Sequence, residues 1–316
     1  MPVRVIVVGA GVIGLSCAIR LREAGHDAAV IARDLPAETT SAVAAALWYP
    51  YRAMPQDLVT RWASSTYAEL ARLAAAEPRS GVRMRWGTEL LPTSSAEPWW
   101  RAAVPTLESV TDVPDGYAGG WRLQVPVADT SVYLPWLVER LEDLGGTVTR
   151  SWLSALPGQG VVVNCTGLAA RALTDDETVV PVRGQVVHLE PTGRTEWLLE
   201  HSDAAALTYI VPREHDIVVG GTAEENVLDP RPDPATAQEI LARARRLAPD
   251  LATAAVRGHR VGLRPGRPCV RLETERHASE APGGIVHCYG HGGAGVTLSW
   301  GCADDVVHEV STLLAS

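Results

Sequence analysis

The chain has 316 residues, of which 46% are hydrophobic and 21% charged, and it carries a formal net charge of −9 at pH 7. These values are typical of an ordinary globular protein with one complex domain or two interleaved ones. They argue against nucleic acid as a partner, because counterion release needs clustered positive charge, and no apolar run approaches the roughly 20 residues of a membrane span.

The first predicted unit is a β-α-β unit at the N-terminus. Residues 3–8 form a continuous apolar run, which is typical of a central parallel strand. Residues 15–24 carry apolar positions at helical spacing, and residues 28–31 predict a second strand. Gly9, Gly11 and Gly14 lie between the first strand and the helix, in the G-x-G-x-x-G spacing that binds dinucleotides.

The rest of the chain predicts a second layer woven into the first. Residues 54 to about 121 read as helical and irregular, like an insertion over a sheet. Residues 135–144 predict an amphipathic helix, and residues 160–167 predict a buried strand that returns the chain to the nucleotide sheet. Strands at 181–189, 208–211 and 217–221 and a helix at 234–247 predict a mainly antiparallel layer that covers the cofactor.

A second glycine-rich turn lies near the C-terminus. The apolar residues from His287 lead into Gly290, Gly292, Gly293 and Gly295 before a last helix. Such a turn brings backbone N–H groups and a positive helix end against an anion. Two turns of this kind predict one large cofactor that is bound from both ends of the sequence.

Two residue types narrow the chemistry further. The sequence contains no lysine, so all 28 basic residues are arginine, and this excludes a pyridoxal-phosphate Schiff base and a Gly-Lys-Ser/Thr phosphate loop. The five cysteines are scattered without CxxC spacing, which indicates neither a disulfide framework nor a zinc site, so no metal is predicted. Because no secretory leader is recognisable either, we expect a cytoplasmic protein.

At this point the chain resembles the D-amino-acid oxidases, through motifs that occur in the family's order and cover nearly the whole sequence. The motifs are Gly9-Ala-Gly-Val-Ile-Gly-Leu-Ser, Ala44-Ala-Ala-Leu-Trp-Tyr-Pro, Val163-Asn-Cys-Thr-Gly, Arg183-Gly-Gln, Thr208-Tyr-Ile-Val-Pro, Gly220-Gly-Thr, Val261-Gly-Leu-Arg-Pro and Tyr289-Gly-His-Gly-Gly.

The resemblance implies an α/β fold. A Rossmann-like FAD domain with a parallel sheet is interleaved with a mainly antiparallel α+β substrate domain. We expect the FAD domain at 1–50, 130–185 and 258–316, and the substrate domain at 51–129 and 186–257. The implied reaction is hydride transfer from the Cα of a D-amino acid to flavin N5, with O2 as acceptor, which yields a 2-oxo acid, ammonia and H2O2.

Three catalytic residues follow from the resemblance. Arg264 matches the arginine that pairs with the substrate carboxylate, as a planar guanidinium can through two parallel hydrogen bonds. Tyr209 matches a tyrosine that contacts the same carboxylate, and Gly293 matches the residue whose carbonyl accepts from the substrate amine. The alternatives are a solvated surface arginine and a tyrosine buried for packing.

The predicted FAD contacts lie in both glycine turns and in the segment after the second strand. They are Gly9, Ala10, Gly11, Val12, Ile13, Gly14, Arg33, Asp34, Thr39, Thr40, Ser41, Ala46, Leu47, Val163, Gly292, Gly293, Gly295, Val296 and Thr297. Asp34 is the expected ribose ligand, although Arg33 occupies the aspartate's place in vertebrate members. We also expect Thr297 to donate a hydrogen bond to the flavin.

Some positions depart from the family or stay ambiguous. Vertebrate members carry a lid tyrosine where this chain has Ala205, which argues against a lid-gated cycle. His291 lies beside the predicted site, where a structural role is favoured over a base. Glu224 and Glu225 follow Gly-Gly-Thr, where D-aspartate oxidases have an arginine, and they would repel a second carboxylate. We therefore expect neutral D-amino acids as substrates, and basic ones stay open.

Other functions stay open on the sequence alone. They are a D-aspartate oxidase, another FAD amine or glycine oxidase, an NAD-dependent dehydrogenase that uses only the first turn, and a flavin-binding protein without turnover. The predicted partners are a D-amino acid and O2, without nucleic acid or membrane, and a homo-oligomer (a dimer or higher) is left open.

Overall fold

The computed structural model describes residues 4–200, 207–277 and 283–315. The helices in these ranges are α1 Val12–Glu23, α2 Gln56–Ala76, α3 Thr130–Asp143, α4 Ala170–Leu173, α5 Pro234–Leu247 and α6 Gly295–Ala315. The strands are β1 Arg4–Val8, β2 Asp27–Ala32, β3 Val82–Leu91, β4 Glu108–Val110, β5 Gly119–Ala128, β6 Val148–Arg150, β7 Val161–Asn164, β8 Val180–Leu189, β9 Trp197–Glu200, β10 Thr208–Pro212, β11 Ile217–Gly220, β12 Glu224–Glu225, β13 Val256–Gly266, β14 Arg271–Arg276 and β15 Gly284–Tyr289.

The first sheet is mainly parallel and has the strand order β14-β15-β7-β1-β2-β6. The chain runs outward from β1 to β2 and β6 on one side and to β7 and β15 on the other. The switch point between β1 and β7 is where an open α/β sheet binds its ligand, outside the carboxyl ends of its strands. Helices α1 and α6 pack against each other on this sheet, and both begin at that edge.

The second sheet is mainly antiparallel, with the order β12-β8-β11-β10-β9-β3-β5-β4 and with β13 paired to β8. Its strands alternate between two environments, as a period of two requires. Ile210 on β10 and Val187 on β8 pack with Ile240 of α5 in a separate apolar cluster. Their neighbours Tyr209 and Val186 face the other way and line a cavity. The predicted α/β class with a second, mainly antiparallel layer is therefore confirmed.

The interpretation of residues 54–121 as helical and irregular was wrong in part. The segment contains α2, but also the ten-residue strand β3, which pairs along its whole length with β5. Position 87 of β3 needs a glycine, because a Cβ there would lie 2.2 Å from the Trp197 ring. This glycine interrupts the strand pattern in the sequence. Pro126 likewise breaks the pattern of β5. Partners distant in the chain, rather than local preference, make these segments strands.

The domain boundaries remain a prediction. Strand β13 lies almost entirely in the range 258–316 that is predicted for the FAD domain, yet it pairs with β8 in the second sheet over ten residue pairs. Strand β8 itself crosses the predicted boundary at residue 185. The two sheets thus share long strands near the cavity, and this sharing places residues of both sheets on one site.

None of the helices in the described ranges combines the length and the hydrophobicity that a bilayer-spanning helix needs.

Candidate active site

One cavity of about 810 Å³ lies between the two sheets. This volume is within the range of small-molecule and cofactor sites. The cavity is lined by both glycine turns, by the segment after β2 and by strands of the second sheet. The residues predicted from opposite ends of the sequence therefore meet in one place.

The first glycine turn contributes its backbone to the cavity. Residues 9–13 line it, and Gly9 has a φ of +113°, which favours glycine. Gly14 does not line the cavity, because it packs against the turn itself: a Cβ on Gly14 would lie 1.9 Å from the Gly9 carbonyl oxygen. The role of Gly14 is thus to let α1 approach β1.

Residues 39–47 form a second wall of the cavity and are bonded to α1 and to the second sheet. The Ser41 hydroxyl accepts a hydrogen bond from the Val12 backbone N–H at 3.0 Å, at the start of α1. The Thr40 hydroxyl donates to the Leu263 carbonyl on β13 at 3.0 Å. Of the predicted contacts in this segment, those that line the cavity are Thr39, Thr40, Ser41, Ala46 and Leu47.

The end of β2 carries the residues predicted for the ribose. Arg33 and Asp34 both line the cavity, and the Arg33 guanidinium donates twice to the Asp34 carboxylate, at 2.9 and 2.6 Å. The loop after β6 adds Trp152, whose side chain is 70% exposed and which also lines the cavity. Sequence reasoning did not single out Trp152, because nothing local distinguishes it from the other nine tryptophans.

Val163 is fully buried in β7 and does not line the cavity. The cavity is lined instead by the residues that follow this strand, Cys165 and Thr166. Asn164 fixes this turn, since its side-chain oxygen accepts from the backbone N–H and the hydroxyl of Thr166, at 3.2 and 2.7 Å. A flavin contact by Val163 stays a prediction that the cavity lining does not support.

The second glycine turn places Gly292, Gly293, Gly295, Val296 and Thr297 on the cavity wall, where α6 begins. A helix N-terminus favours negative charge nearby. The single proton of the Thr297 hydroxyl is directed to the Tyr49 carbonyl at 3.0 Å, and the hydroxyl oxygen accepts from the Tyr49 N–H at 3.0 Å. In this arrangement Thr297 joins α6 to the loop, instead of donating to a cofactor as expected.

Arg264 lies flat over a glycine of the neighbouring strand. A Cβ on Gly184 would be 2.3 Å from Nη1 and 2.4 Å from Cζ of Arg264, so only glycine leaves room for the guanidinium. Nη1 donates to the Thr222 carbonyl at 2.9 Å. These contacts fix the plane of the guanidinium on the cavity wall, which is the geometry that a carboxylate clamp requires.

Tyr209 is held in the same way. A Cβ on Gly220, the cross-strand partner of Tyr209, would lie 2.2 Å from its Cζ atom. Burial raises the pKa of the Tyr209 hydroxyl, while the charge of Arg264 and its hydrogen bond to that hydroxyl act in the opposite direction. The hydroxyl therefore stays neutral in the physiological range and can donate to a ligand beside Arg264.

Gly293 packs against Tyr51, a site residue that sequence reasoning missed. A Cβ on Gly293 would lie 2.7 Å from the Tyr51 ring, so Tyr51 covers this glycine at the cavity wall. Arg52 packs its guanidinium 5.5 Å from the same ring centre and pairs with Glu225 at 3.2 Å. Tyr51 follows directly on the quoted Trp-Tyr-Pro motif, which is the signal that could have identified it.

The wall around Arg264 and Tyr209 is largely apolar. Besides these two residues and Tyr51, the cavity lining includes Leu47, Tyr49, Val186, Leu199, Leu207 and Val211. Glu224 and Glu225 do not line this cavity. The Glu224 carboxylate accepts from the buried Arg183 at 3.0 and 3.1 Å, so the predicted repulsion of a second carboxylate by Glu224 has no support in the geometry.

Two other sequence predictions concern the surroundings. The lid position, Ala205, lies outside the described residues. His291 lines the cavity but is only 3% exposed, and its Nε2 atom lies 3.9 Å from Sγ of Cys288.

FAD fits this donor set. The cavity is bordered by two helix N-termini and two glycine turns, which suit a pyrophosphate and an anionic ring end, and it continues to an apolar wall with one arginine. Residues 9–13, 33–34, 39–47 and 292–297 would hold the cofactor.

Comparisons with known proteins agree with this site. The model of the FAD-dependent oxidoreductase family matches residues 4–309. The D-amino-acid oxidase of Rubrobacter xylanophilus is 51% identical over 311 residues, which cover 96% of this chain and 94% of that protein. The D-amino-acid oxidase of Streptomyces coelicolor is 42% identical and covers 97% and 96%. The crystal structure of glycine oxidase from Geobacillus kaustophilus superimposes with a TM-score of 0.81 at 18% identity, covering 98% and 95%, which shows the shared fold.

Proposed function

We propose that this chain, which belongs to the D-amino-acid oxidase family of FAD-dependent oxidoreductases, oxidises neutral D-amino acids to 2-oxo acids. The observation that carries this proposal is the position of Arg264 and Tyr209 in the apolar part of a cavity that also contains both glycine turns. The co-products are ammonia and H2O2, with O2 as the electron acceptor.

The residues of this chain act by binding and orientation. Arg264 binds the substrate carboxylate with its fixed guanidinium, and the Tyr209 hydroxyl donates to the same group. The Gly293 carbonyl accepts from the amine, which fixes the direction of the Cα–H bond. FAD, when bound, supplies the two-electron acceptor, so the protein needs no acid–base pair and contributes mainly positioning.

The apolar wall supports a preference for neutral side chains. It excludes water around the reacting carbon, and it offers a second substrate carboxylate no free cation among the described residues. The cavity lining includes two arginines, of which Arg33 is paired with Asp34 and Arg264 is already the clamp. We therefore expect D-alanine, D-valine or D-methionine to have a higher kcat/KM than D-aspartate.

The proposal also covers the cellular location, the domain boundaries and the oligomeric state. All five cysteines are free thiols, which supports a reducing cytoplasm. Residues 1–50, 130–185 and 258–316 are the proposed FAD domain, and 51–129 and 186–257 the substrate domain. A homo-oligomer is compatible with this division but is not required by it.

Anaerobic reduction of the bound flavin tests the proposal directly. We expect the yellow holoenzyme to bleach with D-alanine and to keep its colour with L-alanine. Arg264→Ala should lower kcat/KM by about 150-fold or more, which corresponds to the roughly 3 kcal/mol lost when one partner of a buried charge pair is removed. The flavin absorbance per protein should stay unchanged.

Arg264→Lys is the matched control, because it keeps the charge but not the planar fork. It should recover only part of the loss. Preferential bleaching by L-alanine would refute the stereochemical assignment, and an Arg264→Ala enzyme with normal KM would refute the clamp.

A further inference from the structure

Four of the five cysteines, scattered over nearly 300 positions, meet in one place. Cys17 lies in α1, Cys165 follows β7, Cys288 lies in β15 and Cys302 lies in α6. The Sγ atoms of Cys17, Cys165 and Cys288 all lie within 4.8 Å of one another. Cys288 is also shared with a second group, which it forms with Cys302 and His291 within the same limit.

This cysteine cluster (Cys17, Cys165, Cys288 and Cys302) is enclosed by the protein. Cys17, Cys288 and Cys302 are fully buried, and Cys165 is 8% exposed. The cluster lies behind the first glycine turn, since a Cβ on Gly14 would be 3.3 Å from Cβ of Cys165. Its supporting elements are core strands and helices, so the sulfur positions are held firmly.

The spacing of the sulfur atoms fits metal coordination better than disulfide formation. Thiolates bound to one ion with metal–sulfur bonds of about 2.3 Å stand roughly 3.8–4.0 Å apart. The Cys17 and Cys165 sulfurs are 4.0 Å apart. A disulfide needs about 2.05 Å, and its formation would require core elements or rotamers to shift.

The donor chemistry is soft throughout. Among the described residues, neither group includes a carboxylate, and thiolate with imidazole selects Zn²⁺, Cu⁺ and related thiophilic ions over Mg²⁺ or Ca²⁺.

We propose that Cys17, Cys165 and Cys288 form a buried site for one thiophilic metal ion, with Cys302 and His291 adjacent to the shared sulfur. Each bound thiol gives up its proton to solvent, so three thiolates around a divalent ion leave a net charge of −1. The ion would link α1, the turn that follows β7, and β15. This site does not depend on the identity of the amino-acid substrate.

Cd²⁺ is the probe that tests the site. Reduced, chelator-free holoenzyme is titrated with Cd²⁺ without oxygen, and thiolate-to-Cd²⁺ absorption, metal content by mass spectrometry and the thermal midpoint are recorded. We expect one Cd²⁺ per chain, a sulfur–metal absorption band and a higher thermal midpoint, because an ion that binds only the folded protein stabilises it.

The fifth cysteine provides a matched control, since Cys269 is exposed and lies outside both groups. Cys269→Ala should bind Cd²⁺ like the unmodified chain. Cys17→Ala and Cys17→Ser should bind it at least roughly 100-fold more weakly, a loss that disturbing even an outer partner of a metal ligand can cause.

Absence of stoichiometric Cd²⁺ binding by the holoenzyme would overturn the proposal, and this measurement needs no variant to fold. Equal weakening by Cys269→Ala and Cys17→Ala would overturn it too, as would binding without a sulfur–metal band.

Discussion

The glycine turns and the carboxylate clamp line the same cavity but are constructed differently. The turns present backbone: Gly9 needs a positive φ, and Gly14 needs direct contact with the Gly9 carbonyl. The clamp presents two side chains, and its glycines lie on other strands, Gly184 under Arg264 and Gly220 under Tyr209. The first turn is specified by six consecutive residues. The clamp is specified by pairs of a side chain and a glycine that lie about 10 to 80 positions apart in the chain.

This difference has a physical consequence. Backbone packing cannot adjust when a methyl group is inserted, while the end of a long side chain can move aside at some cost. A buried ion pair between Arg213 and Asp216 also supports the clamp region. We therefore expect a substitution in the turn either to abolish stable folding and flavin binding or to have no effect. We expect substitutions in the clamp to weaken substrate binding gradually, and the stability of the clamp region to depend on pH.

The largest expected effect is at Gly14. In Gly14→Ala the new Cβ would lie 1.9 Å from the Gly9 carbonyl oxygen, and both atoms belong to rigid backbone. We expect a destabilisation of about 3 kcal/mol or more and protein purified without flavin, measured by thermal unfolding and visible absorption. Gly258→Ala is the control, because no atom lies within 4 Å of its Cβ. A yellow Gly14→Ala protein of normal stability would show that the turn can adjust.

The next effect tests the pH dependence of the clamp region. Arg213 donates twice to Asp216, at 2.7 Å each, and thereby closes the β10–β11 hairpin that carries Tyr209. Burial raises the pKa of Asp216, but hydrogen bonds from His188 and Arg213 outweigh it and hold the pKa well below its ordinary value. Asp216→Asn should cost about 3 kcal/mol near neutral pH, because it leaves Arg213 buried without this partner.

The sign of the pH effect follows from that lowered pKa. A carboxylate with a depressed folded pKa contributes stability above the unfolded value of about 3.9 and loses it as the pH falls through the folded pKa. The difference in unfolding free energy between the unmodified chain and Asp216→Asn should thus be full at pH 6 and shrink below about pH 4. Denaturant titrations at several pH values measure it, and a constant difference would contradict the assignment.

A smaller effect is expected at Gly184. The Cβ of Gly184→Ala would overlap the Arg264 guanidinium, which can swing away, so the protein should fold and bind flavin. We expect KM for D-alanine to rise about tenfold, or about 1.4 kcal/mol. The double variant with Arg264→Ala should be no worse than Arg264→Ala alone, because both changes act on one contact. Additive losses would mean that Gly184 acts through something other than the clamp.

The sequence predicted the local parts of this molecule and missed those that depend on distant partners. The β-α-β unit follows from apolar runs and glycines within 34 residues, and the structure places β1, α1 and β2 there. Strand β3 was missed because Gly87 interrupts its pattern to admit Trp197. No local signal could show that Arg183 neutralises Glu224.

The cysteine cluster also shows that sequence reasoning misses contacts between distant residues. Their spacing in the chain excluded every familiar metal motif, yet four thiols converge because α1, β7, β15 and α6 meet behind the glycine turn. Sequence spacing identifies ligands on one loop or hairpin, and it cannot identify ligands brought together by a strand order such as β15-β7-β1.

The smallest expected effect concerns Trp152, whose side chain lies on the side of the cavity that the glycine turn forms with its backbone. Its exposed indole lines the cavity together with Arg33 and Asp34, where the adenosine half of FAD would bind. Base–aromatic stacking contributes roughly 1–3 kcal/mol, and we expect the low end, about 1 kcal/mol, because the ring is largely open to solvent. Trp152→Ala should therefore weaken FAD binding to the apoprotein about fivefold, as measured by flavin fluorescence, and Trp152→Phe should retain most of the affinity. FMN lacks the adenine, so its weaker binding should be the same in all three proteins. An equal loss of FMN affinity would show that Trp152 does not contact the adenine. The cofactor region would then bind its ligand through backbone groups only.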